Sequence, residues 1–198
     1  MEPDPTSRNE RLTATTATVL LVLLAVEGFT ILSVRQMLSA HIIVGLLLIP
    51  PVVLKLATTG YRFFRYYTGN AAYVAKGPPH IAMRLLAPLL VLSTLTVLGT
   101  GVALLALGPA HHRDILLGLH KASFLVWFGV MSVHVLVYAP RLPRALLGGN
   151  AWSRIGLVSG SLLAGAVLAA GAYSLAGPWL HRHHDDHERA SAYLSVLR

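Results

Sequence analysis

The 198-residue chain has no cysteine. Disulfides, iron–sulfur clusters, thiolate-ligated haem and covalently attached c-type haem are therefore excluded. Charge is also scarce, because Asp, Glu, Lys and Arg together make up 12% of the residues, whereas about a quarter is usual in soluble domains. Together with a hydrophobic share of 55%, this shortage of charge argues against a soluble enzyme.

Acidic residues are the scarcest of the charged types, with 8 Asp and Glu against 16 Lys and Arg. In a soluble protein the resulting net charge of +8 would suggest a nucleic-acid partner. In a membrane protein such an excess lies mainly in the loops, where it sets the orientation of the chain. We therefore expect no nucleic-acid partner. Lysine occurs only at three positions, and this preference for arginine, with many Ala, Leu and Gly residues, points to a GC-rich bacterial genome.

Five apolar runs fill most of the chain, and each reaches the length of about 20 residues that a transmembrane helix needs. None of them alternates with the period of two that is typical of a strand. The runs cover residues 13–34, 37–58, 81–107, 115–139 and 155–177. We predict an all-α integral membrane protein with five transmembrane helices, in which the first four (13–139) form an up-and-down bundle and the fifth packs against it.

The segments outside these runs are short. We predict a disordered lead over residues 1–12, loops over 59–80 and 140–154, and a polar, His-rich tail over 178–198. The first run follows a polar lead and carries Glu27, which favours a retained helix over a cleaved signal peptide. The alternating His and Asp residues of the tail are a composition that can capture Zn²⁺ or Cu²⁺, and a flexible polar tail is the simpler interpretation.

Two finer features of the runs lead to structural expectations. Pro50 and Pro51 lie inside the second run, where they should kink or locally unwind the helix. Gly156 and Gly160 in the fifth run have the spacing of a helix-packing face.

The distribution of cations predicts the orientation. With the N-terminus in the cytoplasm, 10 of the 16 Lys and Arg residues lie on the inner side, in the lead, in the second and fourth connections and in the adjoining ends of the second and third runs. Because cytoplasmic loops carry the excess of positive charge, we expect a bacterial plasma-membrane protein with its N-terminus inside and its C-terminus outside.

Ionisable residues within the apolar runs are costly, so each of them is a candidate functional residue. His41 lies near the start of the second run and His120 near the start of the fourth. Both helices run in the same direction, so the two imidazoles should lie at the same depth. Two neutral imidazoles at matched depth on different helices are the arrangement that an axial pair on one haem iron needs.

His134 follows His120 by 14 residues on the same helix. At about 1.5 Å and 100° per residue, this spacing places the two rings roughly 21 Å apart on nearly the same face. The pair resembles the doubled-histidine helix of membrane b-type cytochromes, including quinol-oxidising cytochrome b, ferric-reductase-like domains and the cytochrome b subunits of molybdopterin oxidoreductases. This resemblance covers residues 13–139, and Thr100-Gly101 also resembles a Thr-Gly step found in several of these proteins.

The resemblance implies that His41, His120 and His134 are iron ligands, and that the cofactor is haem b. The chain departs from the two-haem pattern at Lys55, which stands where the partner of His134 would be expected. One haem is therefore implied, and a second has no evident ligand pair. Lys55, Arg84 and His134 should cluster in depth, where an anionic group, a haem propionate or a quinone carbonyl could bind.

Three further residues have candidate roles beside the histidines. Glu27 should lie near the depth of His41 and could orient its ring, as carboxylates often do for metal-bound histidines; alternatively it bonds between helices or relays protons. Arg35 and Lys121 could hold haem propionates, and they could equally be cations that extend to the membrane surface.

The sequence thus predicts an electron-transfer subunit without a catalytic pocket of its own. It would relay electrons between a quinol pool and a partner, either a molybdopterin oxidoreductase or a flavoprotein. Two alternatives stay open. One is a haem-free scaffold or assembly protein whose histidines only link helices, and the other is a small transporter or proton pathway that uses Glu27, Lys55, Arg84 and His134.

Overall fold

The computed structural model describes residues 5–78, 80–109, 113–141 and 152–180. These residues are almost entirely helical, and none of them forms a strand. The α-helices are α1 (Pro5–Leu32), α2 (Leu38–Tyr67), α3 (Ala71–Ala75), α4 (Ile81–Leu107), α5 (Arg113–Tyr138) and α6 (Trp152–Ala172). Single 3₁₀ turns follow α5 at Ala139–Arg141 and α6 at Tyr173–Ala176.

Five of the helical segments are long and apolar enough to cross a membrane. The prediction of an all-α protein with five transmembrane helices is therefore confirmed. The fifth of these segments includes α6 and continues through the 3₁₀ turn to Leu180. Most of the predicted 140–154 loop and the tail from residue 181 onward, with its possible metal-binding histidines, lie outside the described residues.

The first helix begins earlier than predicted. Residues 5–12, which the sequence analysis assigned to a disordered lead, form the first turns of α1. Proline is well suited to the first helical position, since its missing N–H would have no partner there. Asn9 Nδ2 donates to Thr58 O at 3.1 Å, and Glu10 pairs with Lys76 at 2.5 Å. These contacts tie the start of α1 to α2 and to the residue after α3, and they explain why the lead is ordered.

The second helix is longer than predicted and runs through Pro50 and Pro51 without a break. The expected local unwinding was wrong. Because Pro51 has no N–H, the carbonyl of Leu47 loses its usual helical partner. At that carbonyl α6 comes close: a Cβ on Gly165 would lie only 2.6 Å from Leu47 O. The close approach of a neighbouring helix is one way in which proline is tolerated inside a transmembrane helix.

The same geometry shows which glycine of α6 packs within the chain. Gly156 and Gly160 have no heavy atom near the position of an added Cβ, so among the described residues they do not close the bundle, whereas Gly165 is in tight contact with α2. The small residue that permits close packing against α2 therefore lies about one and a half turns beyond Gly160.

The helices form two groups. In the first, α1 and α6 each pack along α2, and in the second, α4 and α5 pack along each other as an antiparallel hairpin. The groups meet mainly through contacts of α2 and of the 3₁₀ turn after α6 with α4. A hydrogen bond from Trp179 Nε1 to Leu104 O, at 3.0 Å, also joins them. We call the end of the bundle with the α1–α2 and α4–α5 turns the turn end, and the opposite end the far end.

Candidate cofactor site

His41 is held on α2 by the last turns of α1. Its Nδ1 lies 2.8 Å from Glu27 Oε1 and 3.3 Å from the hydroxyl oxygen of Thr30. Thr30 in turn donates to the backbone carbonyl of Glu27 at 2.7 Å. Glu27 and Thr30 are both buried, so this carboxylate has few competitors as the acceptor of the Nδ1 proton. The contact confirms the predicted proximity of Glu27 to His41.

His120 is held on α5 by the last turns of α4 in a similar way. Its Nδ1 lies 3.0 Å from Val97 O and 3.1 Å from the hydroxyl oxygen of Thr100. A carbonyl can only accept, so Nδ1 carries the proton and donates it. A Cβ on Gly101 would lie 3.3 Å from His120 Cε1. The Thr100-Gly101 step is thus the part of α4 that contacts this ring.

The two anchored rings share a tautomer. With the proton on Nδ1, each neutral imidazole keeps a lone pair on Nε2. No described residue forms a hydrogen bond with Nε2 of either ring. This is the second-sphere pattern common for metal-ligating histidines, in which the other ring nitrogen donates to a carboxylate or a backbone carbonyl.

The two rings lie edge to face beside each other, between the two groups of helices. Their centroids are 6.3 Å apart, and their planes are inclined by 78°. A metal–imidazole bond is about 2 Å long, and each centroid lies about 1 Å behind its nitrogen, so two imidazoles on opposite sides of one metal ion place their centroids about 6 Å apart. The prediction that His41 and His120 lie at matched depth is confirmed by this contact.

A cavity of about 350 Å³ opens beside the two rings. Its walls come from α1, α2, α4 and α5, with Trp179 from the end of the fifth transmembrane segment. Apart from Glu27, the two histidines, Thr94, Lys121 and two tryptophans, the side chains that line it are apolar. A cavity of this kind, largely apolar with a few convergent polar groups, is typical of small-molecule and cofactor sites.

Haem b fits this donor set better than a bare metal ion does. No group of three or more His, Asp or Glu side chains that could hold a metal ion occurs among the described residues. Two imidazoles would leave such an ion with too few protein ligands, whereas a porphyrin supplies four nitrogens of its own and needs only the axial pair. The apolar walls suit a flat macrocycle. Gly45 and Gly101 have no side chain, so Glu27 and His120 can lie close to the backbone of α2 and α4.

The other predicted site residues divide between the two ends. Lys121 is exposed and lines the cavity, so it is the cation available to an anionic group there. Arg35 is exposed in the turn after α1 and does not line the cavity. Of the two proposed propionate ligands, only Lys121 is thus at the cavity wall.

Lys55, Arg84 and His134 lie away from the cavity. Lys55 Nζ donates to Thr13 O at 3.0 Å, and Arg84 Nη2 donates to the Tyr67 hydroxyl at 2.7 Å. The ring of His134 lies beside that of Tyr138, with centroids 4.7 Å apart. Lys55 and His134 are near enough to interact electrostatically, which agrees with their predicted common depth. Arg84 has the Tyr67 hydroxyl as its hydrogen-bond partner.

Sequence reasoning missed several residues of the site. Thr30 follows Glu27 by three residues, and Trp127 follows His120 by seven, so helical spacing was a usable signal for both. Trp127 lines the cavity and donates from Nε1 to Thr94 Oγ1 at 3.0 Å. No sequence pattern indicated the acceptor role of Val97 O or the position of Trp179, because each depends on how distant segments pack.

A comparison of the chain with protein-family models, curated proteins and solved structures finds no match.

Proposed function

We propose that this protein is a membrane b-type cytochrome that relays electrons between a quinol pool and a partner oxidoreductase. The observation that carries the proposal is the pair of neighbouring imidazoles, His41 and His120, with both Nδ1 atoms anchored and with no described residue bonded to either Nε2, beside an apolar cavity. The proposal assigns one haem b to this pair. Held by both histidines, the haem would supply one-electron transfer and would not bind oxygen.

Haem, when bound, supplies the one-electron chemistry. The side chains and backbone of this chain orient the ligating rings, exclude water and supply a positive charge. Glu27 and Val97 O fix the orientation of the two rings and keep the proton on Nδ1 of each. The apolar side chains around the rings exclude water, and Lys121 places a positive charge at the cavity wall. The proposal assigns the electron donor or acceptor on one side to a second protein, either a molybdopterin oxidoreductase or a flavoprotein.

The test is an absorption spectrum of the purified full chain, with pyridine haemochrome analysis to identify the haem. We expect haem b at about one per chain and a reduced-minus-oxidised spectrum typical of a low-spin b-type cytochrome. His41→Ala and His120→Ala should each abolish this spectrum. His134→Ala, which changes the same residue type on the same helix as His120, is the matched control and should keep it.

A haem-free scaffold predicts the opposite result. In that case the purified protein is colourless under normal haem supply, and the histidine variants still assemble. A transporter that uses Glu27, Lys55, Arg84 and His134 would require these groups to communicate, whereas Glu27 is bonded to His41 near the turn end and Arg84 to Tyr67 at the far end. Substrate flux in liposomes without any haem signal would favour that function.

The proposal includes an orientation in the bacterial plasma membrane, with the N-terminus in the cytoplasm. It rests on the excess of cations in the predicted inner segments. Because the chain has no cysteine, any introduced cysteine is its only thiol. Ser33→Cys in the turn after α1 should react with a membrane-impermeant maleimide in intact cells, and Ser7→Cys should react only after the cells are opened. The reverse pattern would show the opposite orientation.

A further inference from the structure

The second transmembrane helix is longer than a bilayer requires. α2 has 30 residues, or about 45 Å at 1.5 Å per residue, whereas the hydrocarbon core is about 30 Å thick. α2 begins directly after the short turn at the turn end, so its surplus length falls at the far end. The last turns of α2, residues 59–67, therefore lie at the level of the lipid head groups or beyond.

These last turns expose aromatic side chains. Tyr61, Phe63, Phe64 and Tyr67 are 50–64% exposed. In water, four such side chains on two turns of helix would be an unfavourable surface, but aromatic residues are enriched at the interface between membrane and water. Their exposure indicates that lipid surrounds this part of α2.

Cations surround the same aromatic side chains. We call Arg62, Arg65, Lys76 and Arg84 the basic patch. The carboxylate of Glu10 is shared by two of its members, with Arg62 at 3.4 Å and Lys76 at 2.5 Å. The carbon of the Arg65 guanidinium lies 6.0 Å from the centre of the Tyr61 ring, and Arg84 is held by the Tyr67 hydroxyl. Neither of these two arginines has a carboxylate partner among the described residues.

The two ends of the bundle differ strongly in charge. The far end carries, besides the basic patch, the described cations Arg8, Arg11 and Arg154, and its described carboxylate is that of Glu10. At the turn end the exposed described charges are Arg35, Asp114 and Lys121. Among the residues whose side chains the structure describes, the positive charge is therefore concentrated at the far end of the bundle.

We propose that the basic patch binds the phosphate groups of anionic phospholipids, with Arg65 and Arg84 as its principal contacts. An arginine whose guanidinium is already held by an aromatic neighbour loses little further freedom when it takes a phosphate, and its planar donor fork matches phosphate oxygens. The adjacent aromatic side chains favour lipid over a soluble acidic protein, because they place the phosphate ligands at the level of the head groups. This inference does not depend on the assignment of haem.

The test uses the full chain in nanodiscs of phosphatidylcholine with increasing phosphatidylglycerol, and native mass spectrometry counts the phosphatidylglycerol retained after lipid exchange. We expect preferential retention of phosphatidylglycerol by the wild type. Arg65→Gln and Arg84→Gln should each weaken it by about fivefold, and the double variant by about 25-fold, since one cation near an anionic surface is worth that much. Arg35→Gln removes the same charge at the turn end, away from the basic patch and its aromatic side chains, and is the control; it should weaken retention less than either far-end variant.

Three results of the lipid experiment would overturn the proposal. The first is equal retention of phosphatidylglycerol and phosphatidylcholine by the wild type. The others are an equal effect of Arg35→Gln and the far-end variants, and wild-type retention of phosphatidylglycerol by the double variant. Tighter binding of a soluble polyglutamate peptide than of phosphatidylglycerol would show a protein-docking surface and would also contradict it. Circular dichroism verifies folding, and the single variants suffice if the double variant does not fold.

Discussion

The turn end and the far end of the bundle have similar ingredients but different chemistry. At the turn end α2 and α5 contribute His41 and His120, whose rings meet beside an apolar cavity. One 14-residue step further along the same helices, Lys55 and His134 lie at a common depth, but Lys55 is bonded to Thr13 O and His134 lies against Tyr138. Under the proposed function, matched depth alone is therefore not enough for a cofactor site. The neighbouring helix must also anchor one nitrogen of each ring and leave the other free.

The largest expected difference between the two ends concerns haem content. His120→Ala should remove all haem, because a single imidazole cannot hold the iron from both sides, whereas His134→Ala should leave about one haem per chain. Pyridine haemochrome analysis of the purified variants measures this. Equal loss of haem in both variants would mean that the far end also holds iron and that the two ends do not differ in haem binding.

The next effect concerns the close approach of α4 to His120. Gly101→Val places side-chain atoms at a position where even a Cβ would be 3.3 Å from His120 Cε1, and overpacking of this kind costs about 1–3 kcal/mol. We expect partial loss of haem or faster dissociation of haem to apomyoglobin. Gly99→Val lies on the same helix with no heavy atom near its Cβ position, and it should retain haem as the wild type does. Equal behaviour of the two variants would remove Gly101 from the site.

A smaller effect should distinguish the two carboxylates of α1. Glu27→Gln keeps an acceptor for His41 Nδ1 but removes the charge that stabilises the oxidised iron more than the reduced iron. If the oxidised haem is bound tenfold more weakly relative to the reduced haem, the midpoint potential rises by about 60 mV. Spectroelectrochemical titration measures it. Glu10→Gln, the same change at the far end, should shift the potential by less than a third of that amount, and a similar shift in both would point to a nonspecific charge effect.

The smallest effect concerns single hydrogen bonds. Trp179→Phe keeps the ring at the cavity but removes the donor to Leu104 O, and it should lower stability by about 1 kcal/mol. Tyr67→Phe at the far end removes an exposed contact with Arg84 and should cost less than about half of that. Thermal unfolding in detergent, followed by circular dichroism, compares the two. A larger loss of stability for Tyr67→Phe would show that the Tyr67–Arg84 contact at the far end stabilises the fold more than the Trp179–Leu104 hydrogen bond between the two helix groups.

Helix content and the location of the transmembrane segments were predictable because each depends on composition over a local stretch. The segment from Ile81 to Leu107 was predicted with both boundaries correct, since Gly108, with φ of 69°, can end the helix in a conformation that other residues avoid. The start of α1 and the end of α2 were misplaced. Both segments are ordered by contacts between distant residues, such as Asn9 with Thr58 at the start of α1 and Glu10 with Arg62 at the end of α2.

The length and composition of the five apolar runs, and the positions of His41 and His120 within them, by themselves determined that these segments are helical, that they are long and apolar enough to span a membrane, and that the two histidines should share a depth. These properties follow from residue type and helical rise alone. Only the tertiary structure decided that Glu27 and Val97 O fix the tautomers of the two rings, that Trp179 closes one side of the cavity, and that Lys55 has a backbone partner. Such contacts depend on the rotation of each helix about its axis and on the separation of the two helix groups, which no local sequence pattern specifies.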